Sequence, residues 1–132
     1  IPVIDDYDLD YKVTYRDLWS ELHLTQSSVD LNEYGGITFE LDQAPAEGQL
    51  HVKVYGENGK EQYVKFSCAS PVAEFDASVL GSKAERVTLQ LLQSGGLTLT
   101  VKSVHLIRKD GTLEPCIPSP FWGCEVQLIV TG

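Results

Sequence analysis

Apolar and polar residues alternate along most of this chain. The period of two runs through ITFEL (Ile37, Phe39, Leu41), LHVKVY (Leu50, Val52, Val54), VTLQL (Val87, Leu89, Leu91), LTLTV (Leu97, Leu99, Val101) and VQLIV (Val126, Leu128, Val130). Successive side chains of a strand point to opposite faces, so the pattern predicts strands with one face buried. Turn clusters separate them (NEYGG, APAEG, GENGK, SGG and KDG) at intervals that leave little room for helices. At most one or two helical turns fit, at FDASVLGSK. Short antiparallel strands hide their apolar faces best against a second sheet, so the expected fold is all-β, a two-sheet antiparallel β-sandwich of jelly-roll type. There is no internal repeat, low-complexity tract or linker. The expectation is a single domain, with residues 1–14 an acidic lead-in and first strand and residues 15–132 the sandwich.

One hairpin can be drawn in register. Val52, Val54, Val64 and Phe66 reach one core if the loop is Asn58-Gly59-Lys60, with Gly59 supplying the positive φ of a bulged turn. Tyr55 then faces Tyr63 and Lys53 faces Lys65, a like-charge pair costing a few tenths of a kcal/mol, roughly, unless an acid or a ligand lies between them.

The same phase puts Trp19, Glu21 and His23 outside on one strand, then His51, Lys53 and Tyr55, Tyr63 and Lys65, Thr88 and Gln90, Thr98, Thr100 and Lys102, and Glu125 and Gln127. Aromatic rings interleave here with groups that donate and accept hydrogen bonds. That mixture suits a sugar, whose C–H face lies on an aromatic ring while its hydroxyls meet Gln, Glu, Lys and His. The segment CIPSPFWGC adds Phe121 and Trp122 in a loop stiffened by Pro118 and Pro120. Held outward, they rim a site; folded back, they plug the end of the sandwich. Trp19 in DLWSEL has the same two readings, and paired tyrosines are also ordinary strand formers.

Composition narrows the partners. The chain has 132 residues, 42% of them hydrophobic, and a formal charge of -9, with no basic cluster larger than Arg108-Lys109. Such a surface repels phosphate backbones and anionic headgroups, so neither nucleic acid nor membrane is an expected partner. No apolar run of about 18 residues occurs. The chain contains no methionine, even at position 1, which points to a piece of a longer precursor.

Three cysteines leave one unpaired. The spacing of Cys116 and Cys124 permits a disulfide in an exported protein and leaves the pairing open. Cys68 follows the apolar phase and reads as a buried thiol. Asp6, Asp8 and Asp10 have the spacing of the first ligands of a calcium loop, with Asp17 at the twelfth place, but Tyr11 stands where the sharp turn wants glycine. A structural calcium ion and a solvated acidic end are the two readings.

Catalysis has less to stand on. Glycoside hydrolysis uses two carboxyl groups facing across a cleft, and only Glu21, Glu40 and Glu125 are sheet carboxylates by phase. There is no G-x-S-x-G motif, and no cysteine has a recognisable base. His23, His51 and His105 stand singly within strands. The chain is not expected to be an enzyme; a small lyase or hydrolase would depend on Glu21 or Glu125.

The stretches DLWSELHLTQSSVDL, ITFELDQAPAEGQLHVKVYGENG and VTLQLLQSGGLTLTVKSVHLIRKDGT resemble the β-jelly-roll carbohydrate-binding modules of secreted bacterial cellulases and hemicellulases. The likeness spans about residues 15 to 131 and is one of strand order and texture. It implies a non-catalytic, extracellular module that binds plant cell-wall β-glucan, xyloglucan or a related hemicellulose beside a covalently attached catalytic domain, often with a structural calcium. It further implies that Gln90 reaches sugar hydroxyls from the sheet. The segment LEPCIPSPFWGC departs from the family's run into the last strand and reads as an added platform or a closed groove end. The expected contacts are Trp19, Tyr55, Tyr63, Phe121 and Trp122 by stacking, and Gln90, Lys53, Lys65 and Glu125 by hydrogen bonds. The competing expectation is a structural or protein-interaction sandwich of a multidomain extracellular protein, with these rings buried.

Overall fold

A computed structural model describes residues 9–65 and 72–130. Phe66, Cys68, Asp6 and Asp8 lie outside the described residues. In chain order the strands are β1 (Leu9–Tyr15), β2 (Glu21–His23), β3 (Val29–Asp30), β4 (Tyr34–Leu41), β5 (Leu50–Tyr55), β6 (Glu61–Lys65) and β7 (Val72–Glu74). The short helix α1 (Ala77–Leu80) precedes β8 (Lys83–Ala84), β9 (Arg86–Leu91), β10 (Leu97–Arg108), β11 (Leu113–Pro115), β12 (Ser119–Trp122) and β13 (Cys124–Val130).

These strands form an all-β antiparallel sandwich. One sheet has the order β13-β1-β10-β4-β7, with β11 on β10; the other has the order β12-β2-β9-β5-β6. A two-stranded ladder, β3 with β8, lies apart from both. The helix sits within the predicted FDASVLGSK stretch. Asp76 caps it by accepting the Ser78 N–H at 3.0 Å, Leu80 anchors it in the core, and Gly81 ends it at φ 96°.

The inward set follows the alternation. Val13, Tyr15, Ile37, Phe39, Leu99 and Val101 of the first sheet pack in one cluster with Leu22, Val52, Val54, Val87, Leu89 and Leu91 of the second. Across this core the buried Tyr15 hydroxyl donates to the Leu89 carbonyl at 2.9 Å, joining β1 to β9. A buried phenol needs such a partner, and here the partner fixes how the sheets sit on each other.

Three local expectations are corrected. The hairpin pairs Lys53 with Tyr63, Tyr55 with Glu61 and His51 with Lys65, a shift of two residues from the predicted register. Its loop runs from Gly56 to Lys60, closed by Gly56 N–H to Lys60 C=O at 2.7 Å, with both Asn58 and Gly59 at positive φ. Glu57 is clamped by the Ser82 backbone N–H and hydroxyl, which secures the longer turn from outside the hairpin. An even shift keeps every side chain on its predicted face but removes the opposed lysines: Lys53 meets Glu61 at 3.1 Å. Second, Leu128 is 52% exposed, because β13 edges its sheet and is covered on one flank only. Third, Trp19 lies in a turn before β2 and not within a strand. In addition β10 is a single long strand with a bulge at Ser103 (φ 53°), pairing first with β1 and then with β11 along one edge.

Tyr15→Phe is expected to lower unfolding free energy by about 1 kcal/mol in urea titrations, the net worth of one neutral hydrogen bond. Burial, helped by Cys124 and Glu21, holds the Tyr15 phenol well above its ordinary pKa. Its stabilising share is therefore present below the unfolded phenol's value of 10.0 and lost as pH rises beyond it. Urea midpoints measured from about pH 9 to 11 should fall less steeply for Tyr15→Phe than for the wild type.

Candidate functional site

The outer face of the five-stranded sheet carries the polar half of the alternation in rows set by register. One row runs Trp122, Glu21, Gln90, His51, Lys65; the next runs Ser119, His23, Thr88, Lys53, Tyr63. Five strands make this face roughly 19 Å wide. A groove of about 620 Å³ opens on it, lined by Trp19, Glu21, His51, Lys53, Tyr63, Gln90, Leu92 and Trp122. Trp122 stands at the β12 edge and Tyr63 at the β6 edge, while Trp19 and Leu92 flank the end where β2 begins and β9 ends. The floor between them is Glu21, Gln90, His51 and Lys53.

Trp19 is presented by a strained turn. The Ser20 N–H donates to the Asp17 carbonyl at 3.1 Å, which puts Trp19 third in a four-residue turn, with φ 72° where glycine or asparagine is usual. Left-handed backbone in a bulky residue costs about 1 kcal/mol or more, so surrounding contacts must impose it. They do: Asp17 Oδ1 accepts the Leu18 and Gly95 N–H groups at 2.8 and 3.0 Å, the buried Ser20 hydroxyl accepts the Asp17 N–H, and the Trp19 N–H donates to Leu91 C=O. The indole is left 53% exposed at the groove.

Trp122 reaches the groove through a bulge. Ser119 pairs with His23 and Trp122 with Glu21, so three residues advance on β12 while two advance on β2. Pro120 and its missing N–H are tolerated because β12 is an edge strand. Phe121 lies outside the groove lining: the Arg86 guanidinium sits 3.9 Å from its ring centroid, and Tyr55 and His23 meet it edge-on at 6.3 and 6.4 Å. Gly123 then carries the chain from one sheet to the other in a single residue, at φ 65°, where a Cβ would come within 2.6 Å of Ser20 Oγ.

The floor is a hydrogen-bonded set. Glu21 Oε1 accepts the Tyr55 hydroxyl at 2.6 Å and the Thr88 hydroxyl at 2.8 Å. His51 Nε2 and Gln90 Oε1 are 2.6 Å apart, and the His51 and Tyr63 rings meet at 5.1 Å. Burial works against the Lys53 ammonium, but hydrogen bonds to Glu61 and Tyr55 outweigh it and raise its pKa, so it stays charged. Its Nζ lies 4.7 Å from the Tyr55 ring centroid and 5.8 Å from that of Tyr63. Burial raises the Tyr55 phenol, and burial with the Arg86 charge lowers His23, so both remain neutral near pH 7.

Of the sequence-predicted contacts, the groove brings together Trp19, Lys53, Tyr63, Gln90 and Trp122. Tyr55 and Phe121 form the neighbouring cluster with Arg86, and Lys65 stands on the exposed edge opposite His51. Glu125 is not near this face: it belongs to β13 of the other sheet and pairs with Arg16 at 3.6 Å. The structure adds Glu21, His51 and Leu92. The first two carry the outward phase of their strands, so alternation was the signal; Leu92 follows β9 in the chain and no periodicity marks it. Asp10 lies near the start of β1 and Asp17 beyond its end, separated by roughly 17 Å of strand, so one ion cannot bind both. Among the described residues no three His, Cys, Asp or Glu side chains group as a metal site. Cys116 and Cys124 are both buried free thiols; burial pushes Cys116 up to about 11, which leaves it unreactive, and Cys124 Sγ meets the Glu21 carbonyl at 3.1 Å. The rigidity of the Phe121–Trp122 segment thus comes from strand pairing. Comparison of the chain with protein-family models, with curated proteins and with solved structures finds no match.

Gly123→Ala is expected to cost about 2 kcal/mol in urea unfolding, since it adds left-handed strain and a contact with buried Ser20. The Leu18 and Gly95 N–H groups hold the Asp17 carboxyl below its ordinary range. Its support of the turn is present above the ordinary value of 3.8 and lost as pH falls through the depressed one. In a Trp122→Phe protein, where Trp19 is the remaining tryptophan, indole emission should therefore shift on acidification below about pH 4, and Asp17→Ala should show the acid-like emission at neutral pH.

Proposed function

We propose that this chain is a non-catalytic carbohydrate-binding module that keeps an attached, secreted glycoside hydrolase on plant cell-wall polysaccharide, β-glucan, xyloglucan or a related hemicellulose. The observation that carries the reading is the groove, in which Trp19, Trp122 and Tyr63, each more than half exposed, surround a floor of Glu21, Gln90, His51 and Lys53. Exposed aromatic rings grouped on one face mark a binding surface. Sugar C–H faces stack on such rings, and the floor supplies donors and acceptors for the hydroxyls. Holding an enzyme beside its polymer raises the effective substrate concentration without any chemistry in the module.

The carboxylates support binding over turnover. Glu21 Oε1 is committed to Tyr55 and Thr88, and Glu61 is committed to Lys53. A protein-interaction sandwich is the second reading, favoured by the exposed Leu113, Ile117 and Leu128, which lie outside the groove lining.

Affinity electrophoresis in native gels containing β-glucan, xyloglucan, glucomannan, xylan or pectin separates the two. Retardation by a neutral glycan is expected, in the micromolar range or weaker, about 1 mM to 1 μM. Trp19→Ala and Trp122→Ala should each weaken it by about tenfold, the loss of one stacking contact, with unchanged thermal midpoints. Retardation by none of the glycans would give the chain to the second reading.

A further inference from the structure

Glu21 is an unusual group to find beneath a sugar groove. Only 7% exposed, it sits on the central floor, and both donors to its Oε1, the Tyr55 and Thr88 hydroxyls, are neutral. No ion pair reaches it among the described residues. Lys53 shares the floor and feels the Glu21 charge, but its Nζ is 3.1 Å from Glu61, so two carboxylates, Glu21 and Glu61, stand against one ammonium there; the Arg86 guanidinium lies on Phe121. Every sealed side-chain oxygen among the described residues has a hydrogen-bond partner, whereas Oε2 of Glu21 is given none by another described residue. Oε2 is therefore not sealed, and Glu21 is one of the residues that line the groove.

From this we propose that Glu21 sets the charge of the ligand: it accepts a hydroxyl from a neutral glycan and turns away glycans whose sugars carry carboxylates. The inference rests on reading the groove as a glycan site and adds the class of glycan it takes. A hydroxyl donating to an ionised oxygen makes a bond roughly twice as strong as a neutral one, and it completes the acceptor capacity left open at Oε2. A ligand carboxylate brought into the same groove meets a fixed like charge in a medium that screens poorly. The 19 acidic residues against 10 basic ones also repel uronates, but from a distance and through salt. A buried charge and a surface field can thus be told apart.

The test uses one backbone in three forms, two uncharged and one carrying carboxylates. Whichever of β-glucan and xyloglucan retards the wild type in a native gel is compared with the same polymer oxidised at C6 to carboxylates, and with the methyl ester of that oxidised polymer. The wild type should bind the oxidised polymer at least about tenfold more weakly than the neutral one, the ester within about threefold of it, and the gap should persist at high salt. Glu21→Gln keeps an oxygen for Tyr55 and Thr88 and removes the charge; it should narrow the gap to about threefold. Equal retardation by neutral and oxidised polymers would overturn the proposal and leave the glycan site standing. So would a gap that survives in Glu21→Gln, or one that vanishes in the wild type at high salt, which alone decides the matter if the variant does not fold. Retardation by no polymer at all would remove the glycan reading, and the proposal with it.

Discussion

The two-sided strand β9 is the constraint on which the rest of the molecule depends. Val87, Leu89 and Leu91 enter the core, Leu89 also receiving the Tyr15 hydroxyl, while Gln90 forms part of the floor of the groove and Thr88 supports Glu21 beside it. All five are buried, the polar two included. Each polar side chain is covered by a partner: Thr88 by Glu21 and the Lys53 carbonyl, Gln90 by His51 and the Trp19 carbonyl. A slip of one residue would exchange the two sets and bury an unsatisfied hydroxyl and amide in the core, so the register is fixed from both faces at once.

The same constraint makes the groove rigid. Its floor groups hydrogen-bond one another on three adjacent strands, so little side-chain freedom remains there for a ligand to remove. The exposed rings are held by different means. Trp19 depends on a turn forced into left-handed backbone by Asp17 and Ser20, and Trp122 on an edge-strand bulge ended by Gly123. Both devices pack on Ser20, which lies buried between the turn and Gly123. A single small residue therefore couples the two tryptophans of the chain.

The hairpin of β5 and β6 shows where local reading runs short. Alternation assigned the faces of Val52, Lys53, Val54, Tyr55, Tyr63 and Val64, and those faces hold. The register did not follow, because the loop gained two residues through a positive φ at Asn58 and a clamp from Ser82 onto Glu57, 25 residues away. Lys65 gave way to Glu61 as the charged neighbour of Lys53. The electrostatics of the floor turned on that shift.

Sequence by itself determined the sandwich and the outward sides of β4, β5, β9 and β10, because a period of two is a property of the extended chain and of water; in sequence β12 reads as a loop and Leu128 as inward. It also marked Lys53, Tyr63 and Gln90 as outward residues and left Trp19 and Trp122 with two readings. Tertiary structure decided which outward residues share a face. Glu125 has the same alternation as Glu21, yet it lies on the other sheet beside Arg16, whereas Glu21 lies under the groove. It also separated the consecutive Phe121 and Trp122, the first stacked by Arg86 and the second on the groove wall. Alternation distinguishes inside from outside along one strand; which strands become neighbours, and where a bulge or a glycine turns the chain, is set by packing between residues far apart in sequence.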